Sequence, residues 1–266
     1  MKNYTRQTPA GDIIESFKRI SLAGVLGWQD VRIRYKRSAL GPFWLTISMG
    51  VMISCIGLVF GGIFGTPMEE FLPFLAVGLI IWSFISSVLN EGGEAFISAE
   101  EMIKQLPVPL FIHIWRVIWR NVIVLLHNLV ILPVLFIAFG KSVGFTSLAS
   151  IIGLMLLLLN LSWVALLLGM VCARYRDLPQ LVASLMQVLF YLTPVIWMPQ
   201  MLPDRYAASF LILNPVYHLL EIVRAPLLGH APDATSWYVA IIMGVVGWAV
   251  AFFSYCGCRR KIAYWL

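Results

Sequence analysis

Arg32, Arg34, Lys36 and Arg37 place four cations within six residues of the stretch "RIRYKRSALGPFW" (32–44), and no further charge follows until Glu69. Side chains of these types at this spacing hold anions. A guanidinium is a planar fork that can donate two hydrogen bonds to phosphate oxygens, and lysine adds a point charge. Set against an apolar run, the same cluster also anchors a helix by attracting anionic lipid, at about 1 kcal/mol per charge near a membrane surface. The residues alone leave both roles open. Covalent chemistry has less to work with. The chain lacks a G-x-x-x-x-G-K-[ST] phosphate loop, an H-E-x-x-H zinc helix and a G-x-S-x-G elbow, and no obvious catalytic pair of carboxylates stands out. Cys55, Cys172, Cys256 and Cys258 have neither zinc-finger spacing nor a disulfide framework. They read as small apolar fillers with free thiols, and no metal site is expected.

The elements that would position the cations are set by hydropathy. Of 266 residues, 60% are hydrophobic and 12% are charged, against about 25% charged in a soluble domain. The mean hydropathy is +0.87. The expected fold class is all-α integral membrane, a single transmembrane domain over 1–266 with no internal repeat. Six apolar runs qualify as spans, near 43–64, 71–89, 118–139, 148–172, 181–198 and 237–257. Residues 1–40 form a cytoplasmic interface segment, 43–257 the six-span bundle and 258–266 a cytoplasmic tail. The first forty residues lack the apolar core of a cleavable signal, so the first span is expected to direct insertion. Ile13, Phe17, Ile20, Gly24, Trp28, Val31 and Tyr35 recur at helical spacing and predict an amphipathic helix lying in the membrane interface.

With both termini inside, sixteen of the 19 Lys and Arg residues fall on cytoplasmic segments, and Lys141, Arg205 and Arg224 on outer ones. That imbalance fixes the expected orientation, and it suits a membrane protein better than nucleic-acid binding. The segment 199–236 is apolar in its middle, yet a seventh span would carry Arg259, Arg260 and Lys261 outside. Asn214-Pro215, Glu221, Arg224 and Pro226 interrupt it. It is expected to form two short re-entrant helices lining a protected space, with Glu221 and Arg224 paired at i and i+3. Apart from Arg120, the expected spans carry no Asp, Glu, Lys or Arg, which speaks against an ion-coupled carrier. His127 reads as a helix-to-helix hydrogen-bonding group.

Two inner loops have their own signals. In "NEGGEAFISAEEMIKQLPVPLFIHIW" (90–115), Ser98 and Glu101 read as a capping box that starts a short helix, stopped by Pro107 and Pro109. That helix would show Met102, Ile103 and Leu106 to the cytosol. In "ARYRDLPQLV" (173–182), Asp177 reads as the cap of the next helix, with Gln180 and Pro179 in its first turn. These loops either simply cap helices or dock a separate motor.

Taken in order, "RYKRSALGPFW" (34–44), "VGLIIWSFISSVLNEGGEAFISAEEMIKQLPVP" (77–109), "YRDLPQLVASLMQVLFYLTPVIW" (175–197) and "LPDRYAASFLILNPVYHLLEIVRAPLLG" (202–229) resemble the permease subunit of ABC-2 type polysaccharide exporters, the O-antigen and capsule group. The stretch "LTISMGVMISC" (45–55) departs from the proline or polar residue frequent there in that family. The resemblance implies a homodimer with two copies of a cytosolic nucleotide-binding ATPase, and a bacterial inner-membrane location. ATP and Mg would be bound by that partner, with no cofactor on this chain. The implied cargo is an undecaprenyl-diphosphate-linked polysaccharide, most closely O-antigen. An ABC-2 exporter of a drug or lipid shares the fold, and an integral membrane glycosyltransferase is the rival from another class. The resemblance assigns ATPase coupling to Ser98, Glu101, Met102, Ile103 and Leu106, together with Arg176 and Asp177. It makes Arg32, Arg34, Lys36 and Arg37 candidates for the lipid diphosphate, and Tyr191 and Tyr217 candidates for the glycan channel.

Overall fold

The computed structural model describes residues 8–36, 41, 43–141, 144–201 and 211–266, and among these the regular structure is helical, without strands. The chain opens with α1 (Pro9–Lys18) and α2 (Ile20–Tyr35). Thr8 starts α1 by accepting from the Gly11 N–H at 3.1 Å, with Pro9 in the first turn. The expected single amphipathic helix is thus two helices, broken at Arg19. On α2 the apolar stripe expected to lie in the membrane interface is largely on the outward side, and a face of small residues packs inward. Ala23, Gly27 and Val31 face inward, while Ile20 and Trp28 are exposed. A Cβ at Gly27 would lie 3.1 Å from the Arg116 carbonyl oxygen, so its absence lets α2 come close to the helix carrying that residue.

Next come α3 (Phe43–Phe64), α4 (Met68–Gly93), α5 (Glu100–Gln105), α6 (Phe111–Leu129) and α7 (Ile131–Ala138). The α6–α7 junction at Val130 has a covalent cause. Pro133 lacks the N–H that would bond to the Leu129 carbonyl, and its ring crowds that oxygen. A 3-10 turn at Phe145–Leu148 leads into α8 (Ala149–Arg174), followed by α9 (Leu178–Leu192), α10 (Pro215–Leu227) and α11 (Ala234–Trp265).

Among the described residues, five helical stretches of 22 to 32 residues are long and apolar enough to cross a membrane: α3, α4, α6 with α7, Phe145–Arg174, and α11. At the position of the fifth expected span lies α9, apolar but only 15 residues long, about 22 Å at 1.5 Å per residue. It cannot run on to 198, because Pro194 forces Thr193 into extended backbone, with ψ at 137°. Other helices outrun the expected boundaries. Polar residues such as Glu69, Glu91 and Arg116 end a hydropathy run but not a helix.

The central element is α4, buried along most of its length and packed against α3, α6, α8, α9 and α10. By contrast α3 is peripheral, burying only Ile53, Gly57 and Gly61. The short α10 begins where the sequence looked interrupted. Asn214 caps it by accepting from the N–H groups of Val216 and Tyr217 at 3.0 and 3.2 Å, with Pro215 as the first residue. At 13 residues it is too short to cross. It is wedged against α8, α11 and α4. The preceding residues 202–210, where the first re-entrant helix was expected, lie outside the described part.

At Gly153 of α8 a Cβ would sit 2.2 Å from the Ile222 carbonyl oxygen of α10. Gly153→Ala is therefore expected to push α10 off α8 and destabilise the fold by about 1–3 kcal/mol. A lowered thermal unfolding midpoint in detergent checks this. An unchanged midpoint would show that the close contact is dispensable.

Candidate functional site

The bundle has two polar ends. At the end carrying α5, two carboxylates organise the cations. Asp30 of α2 accepts from Arg116 at 2.7 Å (Nε) and 2.6 Å (Nη2), and from Arg120 Nη1 at 2.9 Å. Glu91, near the end of α4, accepts from Arg120 at 3.0 and 2.7 Å, from Asn121 at 2.6 Å and from Arg34 at 3.2 Å. Arg120 is thus shared between two carboxylates, and α2, α4 and α6 are tied together. Burial alone would push the Asp30 carboxyl up, but the hydrogen bonds and charge of Arg116 and Arg120 outweigh it and hold it below the ordinary value of 3.8. Because this shift is downward, the clamp is intact above pH 3.8 and is lost as pH falls below it.

The predicted anion-binding residues are therefore divided. Arg34 is half-exposed and joins the Glu91 network. Arg32 and Lys36 are exposed at the same end of α2. Arg37 lies outside the described residues.

A second cluster joins α5 to the loop after α8. Glu100 of α5 accepts from Lys104 at 2.6 Å and from Arg176 at 3.2 Å, and Arg176 also donates to the Leu266 carbonyl at 2.8 Å. The Lys104 hydrogen bond, helped by the charge of Lys104 and Arg176, holds the Glu100 carboxyl below its usual range. Arg174 lies 5.1 Å from the Tyr175 ring centroid and 5.6 Å from that of Trp265. So α5, the loop after α8 and the end of α11 form one surface. Two capping expectations are corrected. α5 starts at Glu100 with Ala99 as its cap, and the Ser98 hydroxyl faces back to the Ala95 carbonyl, so no Ser98–Glu101 box forms. Asp177 does precede α9, but its side chain makes no capping bond. Ile103 is corrected too. It is buried in the main core, which leaves Glu101, Leu106 and part of Met102 on the surface.

A third group was not anticipated. Asp12, wholly buried, accepts from Tyr255 at 2.5 Å and from Arg259 at 2.8 Å, both on α11, and its carboxylate lies 3.4 Å from the Phe111 N–H. The charge pattern of the N-terminal segment gave no sign of it, because its partners lie more than 240 residues away. Glu91 and Asp30 carried a weak signal, as acidic residues among cations at the ends of apolar runs.

The two predicted channel tyrosines occupy different places. Tyr191 is exposed at the end of α9 and lines an open groove of about 420 Å³ between α3, α4 and α9. Trp82, Ser83, Ser86, Gln187 and Phe190 share that lining. The rings of Trp82 and Phe190 are 5.5 Å apart, and those of Phe190 and Tyr191 are 5.4 Å apart. Tyr217 is not among the groove residues. It stands in the first turn of α10, its ring 5.3 Å from His218. His127, read as joining helices, bonds its ring to the Ile123 carbonyl of its own helix. It is the His127 carbonyl that receives the Thr46 hydroxyl from α3.

At the opposite end, Arg224 is buried and donates to Glu221 at 3.0 and 2.5 Å, the expected i, i+3 pair. It also donates to the Pro194 carbonyl at 2.6 Å and lies 4.1 Å from the Phe74 ring centroid. A polar cavity of about 560 Å³ adjoins it, bounded by Glu69, Glu70, Lys141 and His230.

Among the described residues, a helical bundle with five helices long enough to cross a membrane, a short capped helix wedged between them and a compact polar surface at the α5 end fits a membrane transport subunit. The profile of the ABC-2 type transporter family matches residues 22–228, and the chain belongs to that family. It is 24% identical over 227 residues to an O-antigen export system permease protein of Myxococcus xanthus, covering 84% of this chain and 87% of that one. A Klebsiella pneumoniae protein of the same description is 23% identical, with the same coverage. A polysialic acid transport protein of Escherichia coli is 23% identical over 78% of this chain and 82% of its own.

Asp12→Ala leaves Arg259 buried without its carboxylate and is expected to cost about 3–5 kcal/mol. Asp12→Ala with Arg259→Met, which removes both charges, is expected to recover most of that loss. Thermal unfolding, with trypsin cleavage at Lys18 and Arg19 reporting release of α1, measures both. Equal losses in the single and double variants would show that the ion pair is not what holds α1.

Proposed function

We propose that this chain is the transmembrane half of an ATP-driven exporter. Two copies form the conduit, and two copies of a cytosolic nucleotide-binding ATPase dock at the α5 end. The cargo is a polysaccharide carried on undecaprenyl diphosphate, with O-antigen as its class. The bacterial inner membrane is the location, and both termini lie on the cytoplasmic side. The distribution of cations supports that orientation, since Arg34, Arg116, Arg120, Arg176 and Arg259 gather at the α5 end.

The observation that carries the cargo reading is the groove. Sugars present C–H faces that pack on aromatic rings and hydroxyls that need donors and acceptors. Trp82, Phe190 and Tyr191 supply rings, and Ser83, Ser86 and Gln187 supply polar groups alongside them. The outer faces of α3 and α9 beside it are apolar and exposed, through residues such as Val51, Leu181 and Leu185. A second copy laid against them would close the groove into a passage. At its inner mouth, Arg32, Arg34 and Lys36, with Arg37, would meet the diphosphate. Met102, Leu106, Glu101 and Asp177 would meet the ATPase. The names of the relatives support the same class of cargo.

The test is copurification with a nucleotide-binding subunit, followed by reconstitution and ATP-dependent transfer of a lipid-linked glycan. Tyr191→Ala and Trp82→Ala are each expected to slow transfer of long chains severalfold while ATPase assembly stays intact. If the variants change only protein yield, the rings are packing groups and the groove is not the path.

A further inference from the structure

The Glu91 carboxylate lies where donors from α2 and α6 converge on the end of α4. Its Oε2 takes hydrogen bonds from Arg120 Nε at 3.0 Å, Arg120 Nη2 at 2.7 Å and Asn121 Nδ2 at 2.6 Å, and its Oε1 takes one from Arg34 Nη2 at 3.2 Å. That is a convergent set of N–H donors of the kind that binds phosphate oxygens. The donors are unequal. Arg120, at 17% exposure, is fixed from behind by Asp30. Arg34, at 51%, reaches in from the last turn of α2, beside the exposed Arg32 and Lys36. The seat therefore has a rigid floor and a movable arm that opens toward the remaining cations.

We propose that Glu91 is a built-in stand-in for the cargo's phosphate. It holds the donors of Arg34, Arg120 and Asn121 in place while no cargo is present, and it yields them to a diphosphate that enters from the Arg32 side. This rests on the reading of the cargo as a lipid diphosphate and adds to it Arg120 and Asn121 as binding residues and Glu91 as an internal competitor. The balance of charge explains the design. Arg34, Arg116 and Arg120 face Asp30 and Glu91, which leaves a single net positive charge at rest. An empty cluster without Glu91 would carry two and would capture any anion. A carboxylate with two oxygens is outcompeted by a diphosphate with more charge and more acceptors, whereas chloride or a single carboxylate gains little by displacing it. Glu91 thereby sets a threshold for selection.

The test uses the full chain in nanodiscs of phosphatidylcholine, with geranylgeranyl diphosphate as the probe, inorganic pyrophosphate as a second arm and geranylgeraniol as the uncharged control. Glu91→Gln keeps the shape and one acceptor but removes the competing charge. It is expected to tighten diphosphate binding roughly tenfold, and adding Arg34→Gln is expected to abolish the gain. A gain for both probes assigns recognition to the diphosphate alone, and a gain for the polyprenyl probe alone assigns it to the membrane-borne group. Either supports the proposal. Unchanged or weaker binding in folded Glu91→Gln, with binding weakened by Arg34→Gln alone, overturns the stand-in role and leaves the cargo reading in place. Wild-type-like binding in Arg34→Gln removes the diphosphate seat and the stand-in role with it, while the groove is judged separately by Tyr191→Ala and Trp82→Ala. Should Glu91→Gln not fold, Glu91→Gln with Arg120→Gln removes one charge of each sign and keeps the net charge. Binding severalfold below wild type then supports the seat, and wild-type binding overturns it.

Discussion

A charge inside an apolar bundle must be met by another charge or by hydrogen-bonding groups, because leaving it alone costs several kcal/mol. That constraint organises both ends of this molecule. Asp12 is fully buried and is tolerated because Arg259 and Tyr255 reach it across α11. Arg224 is nearly inaccessible and is tolerated because Glu221, the Pro194 carbonyl and the Phe74 face surround its guanidinium. Arg120 enters the span region and divides its donors between Asp30 and Glu91. In each case at least one partner comes from a distant part of the chain, so satisfying the charge also fixes the packing.

The same rule applies to backbone groups. A helix that ends at depth exposes unpaired N–H and C=O groups, which in hydrocarbon have no water to meet them. The start of α10 meets the rule with Asn214, whose carbonyl oxygen caps two N–H groups while its amide donates to the Thr193 hydroxyl at 3.0 Å. His218 then joins the Ser236 hydroxyl and the Ile212 carbonyl, each at 3.0 Å, tying α10 to α11 and to the residue before its own turn. The start of α10 is thus closed by side chains rather than by solvent.

Much of this was legible in the sequence. Long apolar runs with cations at their ends gave the all-helical membrane fold, and the i, i+3 spacing gave Glu221–Arg224. Asn214-Pro215, taken as an interruption, was in fact a start signal, because asparagine caps and proline suits the first turn. The Ser98–Glu101 box failed because α5 begins two residues after Ser98. Hydropathy does not reveal the inner face of α2. The stripe through Ile20 and Trp28 is apolar, but the contact with α6 is decided by small residues and by Asp30, whose partners Arg116 and Arg120 are separated from it by more than 80 residues. Long-range pairs of this kind have no local period and cannot be read from spacing.

The ion pairs also connect α5 to the far end of α11 and to α1. A force applied to α5 meets Ile103, which is locked into the main core, so α5 cannot tilt independently of the bundle. Glu100 passes the load to Arg176, and Arg176 holds the Leu266 carbonyl at the end of α11. Seven residues earlier on that helix, two turns up, Arg259 holds Asp12 of α1. α1 and α5 are therefore linked through one long helix by charged contacts that each have a second partner to fall back on. The buried Asp12–Arg259 pair is the firm link in this connection, and the exposed Glu100–Arg176 pair is the weak one. If an ATPase docks at α5 as proposed, this connection would carry its movement first to α11 and then to α1.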